Sequence, residues 1–525
     1  MIAERPAIIS PHKVDLDLKR MTRHSLFSLL KAAVLLVCIG LFGPANRNAF
    51  GSEIDNAIDH LTITADWYFE SGQDGAELGY SVSTAGDVNG DGFTDILVGS
   101  PLYTPPDPDG IYREGAAFVF YGGAGGLLDF PNWQASSGMQ GCRFGSSVSS
   151  AGDVNGDGFD DVIIGADEYK LPFDGYNGEP KSGMVFLYLG SEDGLEDSVA
   201  WNQPAEAGEI AFGHAVASAG DVNHDGYDDV IIGAPYYESG ADEINEGKVY
   251  LFLGSAAGLA TAPDWVFECD TANASCGYAV NTAGDINHDG YDDVIVGVPH
   301  YDNPATNAGA ALIFFGSAQG LGDVPTWITG SDQGDAWFGE SVAPAGDVNG
   351  DGFDDILIGA SHLNRNDQLL DYGAAFIYLG SPTGIESDYD WISYGSEQYS
   401  GFGRSVQSAG DINQDGFDDV LIGAYLFGQN GSLNQPDEGA AFLYIGGASG
   451  MRTSSIWAAY GEKADAWFGF SVGAAGDING DGGADLIVGA PKYRFDDRTI
   501  MGRAFVYFNT LEEFNYQVFI PFVTQ

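Results

Sequence analysis

The sequence predicts an all-β fold, a seven-bladed β-propeller of four-stranded antiparallel blades. Three observations predict it. A nine-residue acidic string recurs seven times, its starts 66, 68, 64, 62, 64 and 66 residues apart. Around every copy, Val/Ile/Phe/Tyr-rich runs stand between Gly and Asp breakers at fixed distances, which is the pattern of short strands. No window holds a long stripe of 3.6-residue period, so helices are not expected. Self-similarity of this kind marks a repeat architecture, and four short strands per unit suit a propeller blade.

Each unit opens on a strand at a tryptophan: Trp67, Trp133, Trp201, Trp265, Trp327, Trp391 and Trp457, each twenty residues before the first Asp of its string. A second strand follows a glycine eight residues before that Asp: Gly79, Gly145, Gly213, Gly277, Gly339, Gly403 and Gly469. The acidic string leads into a third strand, as at 96–99 or 230–233, and a Gly-led run such as 115–120 supplies the fourth. Six of these runs end in a Gly-rich turn such as 254–259. Seven units without distinct end caps favour a closed ring over a linear solenoid. The last unit stops at 505–508 with neither turn nor Trp strand, whereas the first carries Trp67, Tyr68 and Phe69 ahead of its glycine. The N-terminal strand is therefore expected to complete the last blade and leave no free sheet edge.

The propeller so read occupies residues 60–510. Residues 1–52 read as an export segment with a basic extension. Arg20, Arg23, His24 and Lys31 precede an apolar run at 32–42, followed by small and polar residues to Ser52. The run falls short of the ~20 residues a membrane span requires, although an uncleaved anchor counted from Leu26 stays open. Residues 511–525 form a tail with no place in the repeat. Cys269 and Cys276, seven apart, form a local disulfide in an oxidising compartment or stay two buried thiols.

Lys and Arg number 20 against 76 Asp and Glu, a formal charge of −56. Such a polyanion repels nucleic acid and anionic membrane surfaces. Hydrophobic residues at 44% and aromatics at 13% are ample for packed cores, so disorder is not the reading. With so few basic residues, metal cations are the natural counter-charge.

The string is D-x-N-x-D-G-x-x-D. Oxygens at positions one, three, five and nine converge if the loop wraps a cation, the Gly at six allows the sharp turn, and the carbonyl of position seven adds a donor. Hard oxygens without His or Cys point to Ca²⁺. The residues so placed are Asp87, Asn89, Asp91, Phe93 and Asp95; Asp153, Asn155, Asp157, Phe159 and Asp161; Asp221, Asn223, Asp225, Tyr227 and Asp229; Asp285, Asn287, Asp289, Tyr291 and Asp293; Asp347, Asn349, Asp351, Phe353 and Asp355; Asp411, Asn413, Asp415, Phe417 and Asp419; and Asp477, Asn479, Asp481, Gly483 and Asp485. The bland alternative is a Gly/Asp turn with no metal, and seven intact copies weigh against it. Up to seven Ca²⁺ would leave −56 + 14 = −42. His224 and His288, at position four, are read as exposed bystanders.

The pattern resembles the FG-GAP repeats of the integrin α-subunit N-terminal propeller. Its "Phe-Gly" stands at Phe212, Phe338, Phe402 and Phe468 with their following glycines, and its "Gly-Ala-Pro" at 233–235 and 489–491. Leu78, Phe144 and Cys276 occupy the same slot. The resemblance implies a seven-bladed propeller, calcium in some blades and ligand binding on the face away from the metals. No stalk or inserted domain accompanies the repeats within these 525 residues, so an integrin-style heterodimer is not expected. A monomeric propeller is.

Length variation between units concentrates in the loop after the third strand, on the rim opposite the acidic strings. These loops carry aromatics, and Tyr112, Phe173 and Tyr176, deep in their loops, are the candidate ligand contacts; the first aromatic of each loop is as readily a lid over its blade. No catalytic residue is assigned. Gly469, Ser471 and Gly473 match G-x-S-x-G, but Ser471 is the repeat equivalent of Ser81, Ser147, Ser341 and Ser405, and no helix follows. The reading is a secreted or cell-surface module for adhesion or recognition of a protein or glycan. The rival is a secreted hydrolase or lyase, acting on polysaccharide or lipid, that uses the propeller as scaffold.

Overall fold

The computed structural model describes residues 65–106, 112–168, 182–205, 211–238, 244–366, 371–428, 437–495 and 499–509. Residues 1–52, read above as an export segment, and the tail 511–525 lie outside them. Among the described residues, 28 strands form seven four-stranded antiparallel sheets. The first blade, from its innermost strand outwards, is β2 (Val82–Gly86), β3 (Asp95–Ser100), β4 (Ala116–Phe120) and β5 (Trp133–Ala135). The next five blades repeat this order. The seventh is β26 (Ser471–Gly476), β27 (Asp485–Ala490), β28 (Arg503–Tyr507) and β1 (Trp67–Glu70). Each innermost strand packs against those of both neighbouring blades, and β2 meets β26, so the ring closes. The expected N-terminal completion of the last blade is thus present. It also shifts the frame: every Trp strand completes the blade before it, so sequence unit and blade are out of register by one strand.

The second and third strands of each blade are almost wholly buried because both faces are covered by neighbours. Hydrophobic side chains form seven clusters, each shared by adjacent blades. That between the seventh and first contains Trp67, Ile96, Phe118, Ile487 and Val506. The Phe-Gly slot owes its residues to this packing. Phe144, Phe212, Phe338, Phe402 and Phe468 are buried, and each bridges to the glycine that opens the third strand of the preceding blade. The following glycine has φ near +80°, and at Gly79 a side chain would stand 2.6 Å from the Arg503 carbonyl. Only glycine meets both demands. In the fourth blade Cys276 takes the Phe position and is disulfide-bonded to Cys269, with a Cα separation of 6.0 Å.

Closure is reinforced by one side chain. Arg503 Nε on β28 donates to Glu70 Oε1 on β1 at 3.0 Å, and its Nη1 reaches Glu462 Oε2 at 3.2 Å. The guanidinium lies 4.2 Å from the Tyr68 ring centroid and 3.7 Å from that of Tyr493. Removing it strands a half-buried carboxylate and unpacks two rings. Arg503→Ala is expected to cost about 2–4 kcal/mol in chemical denaturation, while Arg452→Ala, on a turn of the sixth blade, should cost under about 0.5 kcal/mol.

Candidate metal centres and the opposite face

Each acidic loop joins the innermost strand of a blade to the second, and all seven share one hydrogen-bond scheme. The first Asp gathers the amides of positions five and six: Asp87 Oδ1 accepts from Asp91 at 3.1 Å and Oδ2 from Gly92 at 2.9 Å. The fifth Asp caps the amide of position seven, as Asp91 does for Phe93 at 3.0 Å. These Asx turns wind the loop tightly. Position six is a glycine at φ near +90°.

The ninth residue heads the second strand and is fully buried in every blade. Asp95 Oδ2 accepts from the Val88 amide at 3.1 Å, and Oδ1 from the Gly122 amide at 2.8 Å. The second donor opens the turn between third and outer strands, so one carboxylate ties two loops to one rim. Burial, with Asp91 and Asp87 nearby, pushes Asp95 up to about 7, and the two amides only partly offset that. Asp293, Asp355 and Asp419 are pushed up to about 8, chiefly by burial.

In each loop the oxygens of positions one and five thus accept from neighbouring backbone amides, and both oxygens of position nine accept from amides as well. As they stand, no three His, Cys, Asp or Glu groups among the described residues form a ready metal cage; the donor set mixes carboxylates with asparagines. In five loops the Asn oxygen accepts from the amide of position five, as Asn89 does at 2.9 Å. In the third and fourth loops the Asn223 and Asn287 oxygens are buried with no hydrogen-bond partner. Two buried acceptors without a donor, beside like-charged carboxylates, are the chemistry a hard cation satisfies.

Position eight had no assigned role, and it joins the blades. Asp160 Oδ2 accepts from the Asp87 amide of the preceding blade at 2.7 Å. Asp228, Asp292, Asp354 and Asp418 do the same for Asp153, Asp221, Asp285 and Asp347 at 2.8–2.9 Å. Position seven reaches back as well. Phe159, Tyr227, Phe417 and Phe93 lie over Gly90, Gly156, Gly350 and Gly480, the fourth residues of the preceding loops. Where position four is His224 or His288, the ring is exposed as expected but meets the edge of Tyr291 or Phe353, centroids 6.0 and 6.1 Å apart. They are blade contacts rather than bystanders. The tryptophans add a third link, as where Trp67 Nε1 donates to the Leu128 carbonyl of the next blade at 3.0 Å. The doubled Asp in five of seven strings was the signal available for the clasp.

On the other rim, the residues after the Phe-Gly glycines ring the hub. Arg404 pairs with Glu340 at 3.2 Å and lies over Phe470, which meets Tyr80 at 4.9 Å; Arg143 lies over Tyr80 and pairs with Asp167 at 3.2 Å. The hub mouth is thus filled by the chain's own groups. Tyr112 is 55% exposed with the Arg113 guanidinium 5.1 Å from its ring. Phe173 and Tyr176 lie outside the described residues. Tyr103, Phe427 and Tyr493, the first aromatics of their loops, are buried as lids. Ser471 Oγ donates to the Gly79 carbonyl at 3.2 Å, a blade-to-blade bond with no base beside it.

Two glycines separate the clasp from the turn. Gly152 (φ 71°) abuts the Asp228 carboxylate, whereas a methyl added at Gly158 (φ 92°) would meet nothing within 4 Å. Gly158→Ala should cost about 1–2 kcal/mol for conformation alone. Gly152→Ala should cost at least about 1 kcal/mol more, read by urea denaturation in calcium, because it also displaces the clasp.

The FG-GAP repeat family matches at residues 78–120, 144–188, 212–252, 277–314, 338–375, 402–444 and 468–506, one match per blade. Integrin alpha-PS3 of Drosophila melanogaster is 37% identical over 178 residues, 33% of this chain and 14% of the relative. Integrin alpha-4 of Xenopus laevis is 30% identical over 250 residues, 47% and 22% respectively. The chain thus spans less than a quarter of the length of either. Among solved structures, the exotype rhamnogalacturonan lyase YesX aligns with a TM-score of 0.34 at 11% identity, covering 85% of this chain and 91% of that one. Since the repeat model recurs in all seven blades and accounts for more than half of the residues, the chain belongs to the FG-GAP repeat family.

Proposed function

We propose that this chain is an exported, calcium-loaded recognition module of the integrin α-like kind. It binds an extracellular protein or glycan on the rim opposite its metal loops and catalyses no reaction. The single observation that carries the reading is the division of charge between the rims. Among the described residues, Arg452 is the one Lys or Arg on the acidic rim; the other nine stand on the opposite rim. Among the described residues, seven carboxylate loops with buried ninth aspartates have one basic side chain between them on that rim, and divalent cations supply the missing counter-charge.

In each loop the side-chain oxygens of positions one, three, five and nine and the carbonyl of position seven would hold one Ca²⁺. The ion is structural: it neutralises carboxylates that otherwise repel one another and fixes the rim of its blade. Secretion or surface display places the chain where calcium is abundant, which suits loops of modest affinity, about 10⁻⁴–10⁻³ M. Tyr112, Phe173 and Tyr176 on the variable loops are the proposed ligand contacts, and the integrin α relatives support adhesion as their use.

Native mass spectrometry should find up to seven Ca²⁺ per chain, and Asp221→Asn with Asp225→Asn should remove one. At tenfold excess of Ca²⁺ over Kd each site adds about 1.4 kcal/mol, so EGTA should lower Tm by many degrees. A calcium-free spectrum with an unchanged Tm would refute the metal reading. For the ligand face, Tyr112→Ala should weaken capture on glycan or matrix-protein arrays about tenfold; unaltered capture would exclude that residue.

A further inference from the structure

The seven blades provide their own controls for the seam between neighbours on the acidic rim. The residue just after the third strand faces the Gly-rich turn of the next blade. In three blades it is aromatic. Tyr121 accepts a hydrogen bond from the Leu195 amide at 2.9 Å, Phe315 lies against Gly384, and Phe508 lies 3.2 Å from the position a methyl on Gly126 would take. Where Leu189, Leu253 or Leu379 stands instead, the facing Gly258, Gly320 or Gly450 has nothing within 4 Å on that side. Between the fifth and sixth blades the missing ring leaves a cavity of about 390 Å³. Leu379, Trp391 and Met451 form its apolar wall, and Asn349, Asp351 and Asp390 its polar edge.

We propose that this groove seats an aromatic side chain from the chain's own tail, residues 510–525. The chain leaves the seventh blade on this rim. The Asn509 amide donates to Asp485 Oδ1 at 2.7 Å, and its side-chain amide donates to the Ile412 carbonyl of the sixth blade. The sixth blade's turn, 446–451, is one wall of the groove, so of the three open seams this one lies nearest the exit. Sixteen further residues reach up to about 50 Å when extended. They include Phe514, Tyr516, Phe519 and Phe522, and 514–523 carries no charge. An uncharged aromatic segment is what an anionic rim admits; an acidic partner would be repelled.

The test is hydrogen–deuterium exchange in saturating calcium on the full chain and on a chain ending at Asn509. Truncation should speed exchange of the turn 446–451 at least tenfold and leave 254–259 unchanged, and a synthetic 510–525 peptide should restore protection. Leu379→Phe in the full chain, which fills the groove as in the other three blades, should release the tail to protease. Unchanged exchange at 446–451 on truncation would overturn the proposal. So would loss of protection at 254–259 or 316–321 instead, or protection that rises with protein concentration, which would assign the groove to a second copy. If the shortened chain did not fold, Leu379→Phe would decide alone, and an unreleased tail would refute the seat.

Discussion

A buried aspartate at the head of the second strand holds the acidic rim of every blade. Its two oxygens take the amide of the loop's second residue and, in six blades, the amide that opens the next turn; in the seventh the Asn509 amide takes that place. Each such carboxylate is desolvated and lies among others of the same sign. An isolated buried charge costs several kcal/mol, and two backbone donors recover only part of that. The scaffold therefore carries a debt of negative charge on one rim that its own basic residues, gathered on the other, do not relieve. That imbalance is what the proposed divalent cations would relieve.

The two rims do different work because the strands force them apart. A six-residue strand spans about 20 Å, so a loop at its head and a loop at its foot do not share a ligand. The acidic rim repeats faithfully since each loop must fit the next around the ring. The opposite rim is free to vary in length. There the hub is closed by Arg404 with Glu340 and by Arg143 with Asp167, pairs whose members come from adjacent blades or adjacent elements of one blade. On the outer loops of this face Tyr112 stands exposed.

The fold, the ring closure and the placing of the acidic loops on one rim were legible because they depend on spacing within one unit, which a repeat displays seven times. What was not legible depends on which unit faces which. The position-eight aspartate, the ring over position four and the indole donor each act across a blade boundary, on a residue about one unit away. Spacing along the chain shows that such residues recur; it does not show what they touch. The same limit hid the Phe-Gly bridge and left position eight without a role, though Asp recurs there in five strings. It also left the unit boundary one strand away from the blade boundary.

The seventh blade shows that these contacts are coupled rather than merely repeated. It has no Gly-rich turn after its third strand, so Asn509 takes the place of the turn's first glycine and donates to Asp485. A side chain there needs space that an aromatic at position seven would fill, and position seven of this loop is Gly483, beside the Asn509 amide. With no ring reaching back, position four of the sixth loop is no longer a glycine or a histidine but Gln414, which donates to the Gly482 carbonyl in its stead. Position eight changes too: Ala484 carries no carboxylate for a clasp, and Thr94 in the first loop keeps only the backbone bond to the Asp477 carbonyl, at 3.1 Å, that the clasped boundaries also make. Asn509, Gly483 and Gln414 thus depart from the repeat together, each meeting the next around the Asp485 loop. The boundaries on either side of that blade lack the carboxylate clasp, and the blade they flank is the one that β1 and Arg503 complete. The circle is held at its seam by a different chemistry from the one that holds it elsewhere.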